Sequence, residues 1–90
     1  MWDVANFRIS EHSGLAASFG FELQVHDSRT GAARVVHGDG LLLTDGRVWF
    51  NRVELLGQVA REQAIEPRQF LEALAQDVRA RARQLAPAAA

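Results

Sequence analysis

The chain has 90 residues, of which 48% are hydrophobic and 23% are charged, and its formal net charge is −1. A chain of this length forms one domain, and so small a charge gives no field that would attract nucleic acid or a membrane surface. The absence of cysteine excludes disulfides and thiolate metal sites. No apolar leader opens the chain, and no window reaches the ~18 apolar residues of a membrane span, so we expect a cytoplasmic protein without a membrane partner.

The first half of the chain, residues 2–50, predicts short strands joined by turns. Residues 2–9 carry apolar side chains on both alternations, which predicts a strand with a bulge near Ala5 and Asn6. Residues 19–25 alternate between apolar and other side chains, which is typical of a strand with one face in the core and one face exposed to solvent. A turn over residues 27–31 leads to a partner strand, but the sequence leaves open whether residues 38–40 close a further hairpin or form a bulge in one long strand over residues 32–44.

Asp45 and Gly46 predict the next hairpin. An Asp-Gly pair between apolar runs is typical of a two-residue type I′ loop. Such a loop predicts three cross-strand pairs: Thr44 with Arg47, Leu43 with Val48, and Leu42 with Trp49.

The second half predicts two amphipathic helices, over residues 51–65 and 67–86, with a frayed tail over residues 87–90. Asn51 is the predicted N-cap of the first helix, because Glu54 stands three residues later as in a capping box. Pro67 suits the first turn of the second helix. We therefore predict a single α+β domain over residues 1–86, an antiparallel β-meander of four or five strands followed by a C-terminal helical hairpin packed on one sheet face.

Catalytic and metal-binding patterns are weak. Of the three histidines, His26 and His37 are expected about five residues apart along the sheet, or ~16 Å, and His12 lies outside that hairpin. The serines lack a G-x-S-x-G context, and no phosphate-binding glycine loop joins a strand to a helix. We expect no catalytic residue, no cofactor and no metal site, and hence a protein that is not an enzyme.

The segment 47–85 combines a four-residue strand, a helix, the link over residues 64–68 and a second helix. In this order it resembles the ribbon-helix-helix DNA-binding motif, in which two copies pair their strands and the outward side chains enter the major groove. The resemblance implies that Arg47 and Trp49 face the bases and that Arg68 contacts the phosphate backbone. The Asp45-Gly46 turn instead predicts that this strand pairs within its own chain.

Trp49 and Phe50 are neighbours in a predicted strand, so they point to opposite faces of the sheet, and two helices can cover only one face. The uncovered face is our predicted contact surface for a protein partner. We predict a small non-enzymatic protein-interaction module of bacterial or phage type that acts as an accessory or inhibitor of a larger protein, with a homodimer as its candidate assembly. The alternative is a DNA-binding transcriptional regulator of ribbon-helix-helix type. The predicted partner-binding residues are Trp49, Glu22, Gln24, His26 and Arg47, and the alternative DNA-binding residues are Arg47, Trp49 and Arg68.

Overall fold

The computed structural model describes residues 2–12, 14–27 and 29–85, so the predicted tail over residues 87–90 lies outside the described residues. Four strands form one antiparallel sheet in sequential order, and two helices follow. This arrangement confirms the predicted α+β meander with a C-terminal helix pair on the sheet. The elements are β1 (Trp2–His12), β2 (Ala16–His26), β3 (Ala33–Leu43), β4 (Val48–Phe50), α1 (Val53–Glu62) and α2 (Pro67–Leu85).

The edge strand β1 is irregular where the sequence predicts a bulge. Its register against β2 shifts between Ala5 and Arg8, and Asn6 adopts a left-handed backbone with φ 53°. Asparagine tolerates this conformation better than most residues. A second shift falls between Ile9 and Glu11. The strand β3 is continuous over residues 38–40 and pairs with β2 without a register shift, so the single long strand is confirmed but its predicted bulge is absent.

The core lies between one face of the sheet and the two helices. The alternating apolar side chains of β2 point into it, as their period of two predicts. The helices contribute the middle parts of the apolar stripes that their 3.6-residue spacing predicts, whereas Val53 and Leu85 at the helix ends are exposed. The buried core side chains include Phe19, Phe21, Leu23, Val25, Leu56, Val59, Phe70, Leu74 and Val78.

Two glycines of β3 make room for this aromatic core. A Cβ at Gly38 would overlap the ring of Phe21, and a Cβ at Gly40 would overlap the carbonyl oxygen of Trp49 and the ring of Phe19. The rings therefore lie directly against the strand backbone, which a residue with a side chain would prevent.

The predicted two-residue loop between β3 and β4 is wrong. The Leu43 N–H donates to the Arg47 carbonyl at 2.9 Å, and the Gly46 N–H donates to the Leu43 carbonyl at 2.9 Å. The bond between Leu43 and Arg47 therefore encloses a loop of three residues, 44–46. The last of them, Gly46, has φ 92°, a conformation that favours glycine. The extra loop residue shifts the register by one, and the observed pairs are Gly40 with Phe50, Leu41 with Trp49, and Leu42 with Val48.

The predicted N-cap and boundaries of the first helix are also wrong. Asn51 continues the sheet, because its N–H donates to the Asp39 carbonyl at 2.9 Å. The N-cap is Arg52, in a left-handed conformation and without a side-chain capping bond, and α1 spans Val53–Glu62 instead of residues 51–65. Pro67 opens α2 as predicted. Within the described residues, neither helix is long and apolar enough to cross a membrane.

Candidate protein-binding surface

Both described helices lie on the same side of the sheet, and we call the opposite side the outer face. Side chains alternate along a strand, so the residues of β2 between the buried core positions point to the outer face. Cross-strand partners share a face, which extends the assignment to the other strands. The outer face thus carries the pairs Glu22 with His37, Gln24 with Val35, Asp3 with Gln24, and Leu41 with Trp49.

An apolar patch lies at one end of the outer face, and we call it the Trp49 patch (Trp49, Leu41 and Leu43). Trp49 is 64% exposed, and its cross-strand partner Leu41 is also exposed. Leu43 follows Leu41 on the same side of β3 and is half-buried. Large apolar side chains that remain in water beside one another are typical of a protein-interaction site.

Polar side chains make up the middle of the outer face. The Asn6 side-chain amide donates to a Glu22 carboxylate oxygen at 2.9 Å. The guanidinium of Arg8 lies over the backbone of Gly20, where a Cβ would be within 3.0 Å of it. Hydrogen-bonding groups beside an apolar patch resemble the polar rim of a protein interface.

The structure places Trp49, Arg47, Glu22 and Gln24 on the outer face, but it does not bring all of them together. Arg47 directly precedes β4, two residues before Trp49, and it forms an exposed ion pair with Asp45 at 2.8 Å. Glu22 and Gln24 lie two strands away, and their β3 partners, His37 and Val35, do not pair with β4.

His26 lies far from the Trp49 patch. It ends β2 opposite Ala33, eight residues from Ser18, which lies in line with Leu41 and Trp49. Eight residues of strand span about 26 Å. A single small contact therefore cannot include both His26 and Trp49.

Sequence reasoning missed Leu41, Val35 and His37 as outer-face residues. The predicted hairpin placed Leu42 opposite Trp49, and a slip of one residue exchanges the two faces of a strand. Because of this one-residue slip, the prediction assigned Leu42 to the outer face instead of Leu41. The strict alternation of β2 predicts the outer-face residues of that strand correctly. Because an Asp-Gly pair fits loops of two or three residues, no local signal decides the register between β3 and β4.

Two carboxyl groups in turns have lowered pKa values. The backbone N–H of Arg29 holds the pKa of Asp27 below its usual value, and the backbone N–H of Arg47 does the same for Asp45, helped by its guanidinium. The two hydrogen bonds have ordinary lengths, 2.8 Å for Asp27 and 3.0 Å for Asp45. These hydrogen bonds favour the ionised form of each carboxyl group, and they stabilise the two turns that the sequence predicts at Asp27 and Asp45.

Among the residues with described side chains, no three histidine or carboxylate groups come close enough to share a metal ion. His26 pairs with Ala33 and His37 pairs with Glu22, so these histidines are about 13 Å apart along the sheet. This distance is close to the ~16 Å that the sequence predicts.

The strand of the ribbon-helix-helix-like segment pairs with β3 of its own chain, as the Asp-Gly turn predicts, and no other described strand pairs with its second edge. Arg47 and Trp49 point outward from this strand, and Arg68 is exposed at the start of α2. Comparisons of the chain with protein-family models, curated proteins and solved structures found no match. The ribbon-helix-helix resemblance stays a prediction from the sequence.

Proposed function

We propose that this protein is a small, non-enzymatic protein-interaction module of the cytoplasm that acts as an accessory or inhibitor of a larger protein. The observation that carries the proposal is the exposed Trp49 on a sheet face opposite both described helices. Tryptophan is enriched among the residues that dominate binding energy at protein interfaces. Nothing in the core requires a large apolar side chain at this position, because the neighbouring Phe50 fills the core side of β4.

The energetics of the outer face suit a protein partner. Burying an exposed apolar side chain of this size contributes about 2 kcal/mol, so Trp49 and Leu41 together supply a substantial part of a binding energy. The 11-residue strand β3 is about 36 Å long. Four strands at ~4.8 Å spacing give a face of several hundred Å², which approaches the ~800 Å² per partner of a standard interface.

Affinity capture from the source cell tests the proposal. The wild-type chain is expected to retain a specific protein, and Trp49→Ala is expected to lose it while its thermal unfolding stays unchanged. Leu85→Ala is the matched control, because Leu85 is also an exposed apolar side chain but lies at the end of α2. Equal retention by all three chains would contradict the proposal.

Regulation of transcription is the second candidate, because Arg47 and Trp49 both point outward and Arg68 is exposed. Binding to mixed genomic DNA across a salt series separates the two functions. A steep negative slope of log K against log salt would favour the regulator, since phosphate contacts release counterions. The absence of binding at low salt would remove it, and sedimentation of the purified chain would show whether it forms a homodimer.

A further inference from the structure

Among the described residues, no strand pairs with the second edge of β4, which we call its open edge. The bonds from Leu43 to Arg47 and from Asn51 to Asp39 fix which residues of the hairpin face β3. In an antiparallel pair this orientation alternates, so Trp49 also faces β3, whereas Val48 and Phe50 point their N–H and C=O groups to the open edge. Two donors and two acceptors are therefore available to another extended chain.

The other edge of the sheet is less suited to this role. The edge strand β1 has two register shifts and a left-handed Asn6, and such irregularities obstruct the addition of a strand. The strand β4 pairs with β3 without a register shift and contains no proline. Its short length limits the number of main-chain bonds, so added affinity must come from side chains.

A groove runs beside this edge, with α2 as its other wall, and we call it the edge groove. Its apolar surface comes from Val53, Leu71 and Ala75, together with Val48 and Phe50 of the strand. Val53 is 47% exposed, and Trp49 stands at the outer rim. A strand added here would place alternate side chains on Val53 and Leu71 and the others beside Trp49.

The charges of the edge groove favour an acidic occupant. Arg68 and Arg79 lie on the α2 wall with Glu72 between them, and the Arg79 Nε also donates to the Gly46 carbonyl at 2.5 Å. The two arginines are about 16 Å apart along the helix, which is the length of about five extended residues. If a second copy added its β4 antiparallel to this edge, the two-fold axis would bring the arginines of the two grooves close together, and like charges would repel. Carboxylates near the ends of a foreign segment would instead pair with these arginines.

We propose that the edge groove binds an extended segment of the partner protein, with apolar side chains at alternate positions and an acidic residue at one or both ends, which adds to the sheet as a fifth strand. This inference rests on the proposed function and names the chemistry of its partner. Main-chain hydrogen bonds to Val48 and Phe50 hold the segment, and the pockets beside β4 select its side chains.

Selection from a displayed library of random octapeptides tests the inference with the full chain as target. The enriched peptides are expected to alternate apolar residues and to carry Asp or Glu near an end. Titrated into isotope-labelled protein, a synthetic copy is expected to shift the NMR amide signals of Val48 and Phe50 more than that of Trp49. Enrichment of no peptide, or of basic peptides, would overturn the inference.

Val48→Pro removes one outward N–H without removing a bond to β3, and proline is tolerated at such edge positions. It is expected to weaken peptide binding at least tenfold, whereas Val48→Thr retains it. Arg68→Glu, at an exposed position that leaves the core intact, is expected to weaken acidic peptides by a similar factor. Unchanged affinity in both variants would overturn the inference, as would a dimer of the parent chain that Val48→Pro dissociates.

The same variants separate this inference from the proposed function. A cellular protein that is lost with Trp49→Ala but fully retained by Val48→Pro and by Arg68→Glu would support the interaction module and overturn the edge groove. If Trp49→Ala also retained the cellular protein, the result would contradict both the proposed function and the edge-groove inference.

Discussion

The two tryptophans have opposite roles. Trp2 packs edge to face against Phe70, with ring centroids 5.0 Å apart, whereas Trp49 stands on the outer face. We expect Trp2→Ala to lower the free energy of unfolding by about 2 kcal/mol, through lost burial and lost ring contact. Trp49→Ala should change it by no more than about 0.5 kcal/mol, as exposed substitutions do. Urea denaturation followed by circular dichroism measures both, and equal losses would show that Trp49 is packed.

Gly40 is the position where a single added carbon should be most harmful. Gly40→Ala drives a Cβ into the Trp49 carbonyl oxygen of the neighbouring strand, so β4 must move away from β3. Overpacking of this kind costs about 1–3 kcal/mol. Gly14→Ala is the control, because nothing lies within 4 Å of a Cβ there. Thermal unfolding of the two variants gives the comparison, and equal melting temperatures would contradict the close approach of β4.

The carboxylates in the turns make stability depend on pH. The folded-state pKa values of Asp27 and Asp45 lie below their unfolded values, so their contribution is present above the ordinary carboxyl pKa of about 4 and is lost as pH falls through the lower folded values. We expect the melting temperature of the parent to fall below about pH 4. The double variant Asp27→Asn, Asp45→Asn should lose less over the same range, and parallel curves would contradict this origin.

At the scale of the elements, α2 holds the helix layer on the sheet. Its Leu74 is fully buried in the core, while the neighbouring Ala73 is exposed. Leu74→Asp would bury a carboxylate without a partner, so we expect the chain to be unfolded at 25 °C. Ala73→Asp adds the same group to the wet side of the helix and should remain folded. Far-ultraviolet circular dichroism distinguishes them, and a folded Leu74→Asp chain would show that the buried face of α2 is wrongly assigned.

The elements that the sequence predicts well are those whose signal is local. The alternation of Phe19, Phe21, Leu23 and Val25 requires one buried strand face, and the apolar stripe of α2 requires one buried helix face. The start of α1 was not predictable in this way. Asn51 suits a helix cap, but a hydrogen bond to Asp39, twelve residues earlier, keeps it in the sheet. Tertiary pairing outweighed a local preference there.

The sequence predicts that a large apolar side chain of β4 faces away from the helices, but it does not predict which residues lie beside that side chain. The adjacency of Trp49 and Phe50 implies that one of them faces away from the helices, and the structure has Phe50 in the core. The partners of Trp49 depend on the register, and an Asp-Gly pair fits loops of two or three residues. The choice between them fixes whether Leu41 or Leu42 lies beside the tryptophan. The edge groove depends on the packing of α2 against β4, which no local pattern encodes.

At the scale of the whole molecule, the protein is a domain of two layers, a sheet and a helix pair, in which the outer face of the sheet is exposed to solvent. The described part of the chain measures 45 × 21 × 16 Å, which fits a single sheet covered on one side. Small domains leave a large share of their apolar surface exposed. Here the exposed share includes the Trp49 patch and the edge groove, which meet at β4, so one partner can contact both.

Hydrogen exchange of the whole molecule tests this organisation. The strand β2 pairs with both β1 and β3 and carries the centre of the core, so its amides should exchange slowest. Within β4, the Trp49 amide bonds to β3 and should exchange more slowly than the amides of Val48 and Phe50, which face the open edge. Equal protection of all three in the monomer would contradict that orientation. A partner that covers the outer face alone leaves this difference in place, whereas a segment added along the edge groove slows Val48 and Phe50 and removes it.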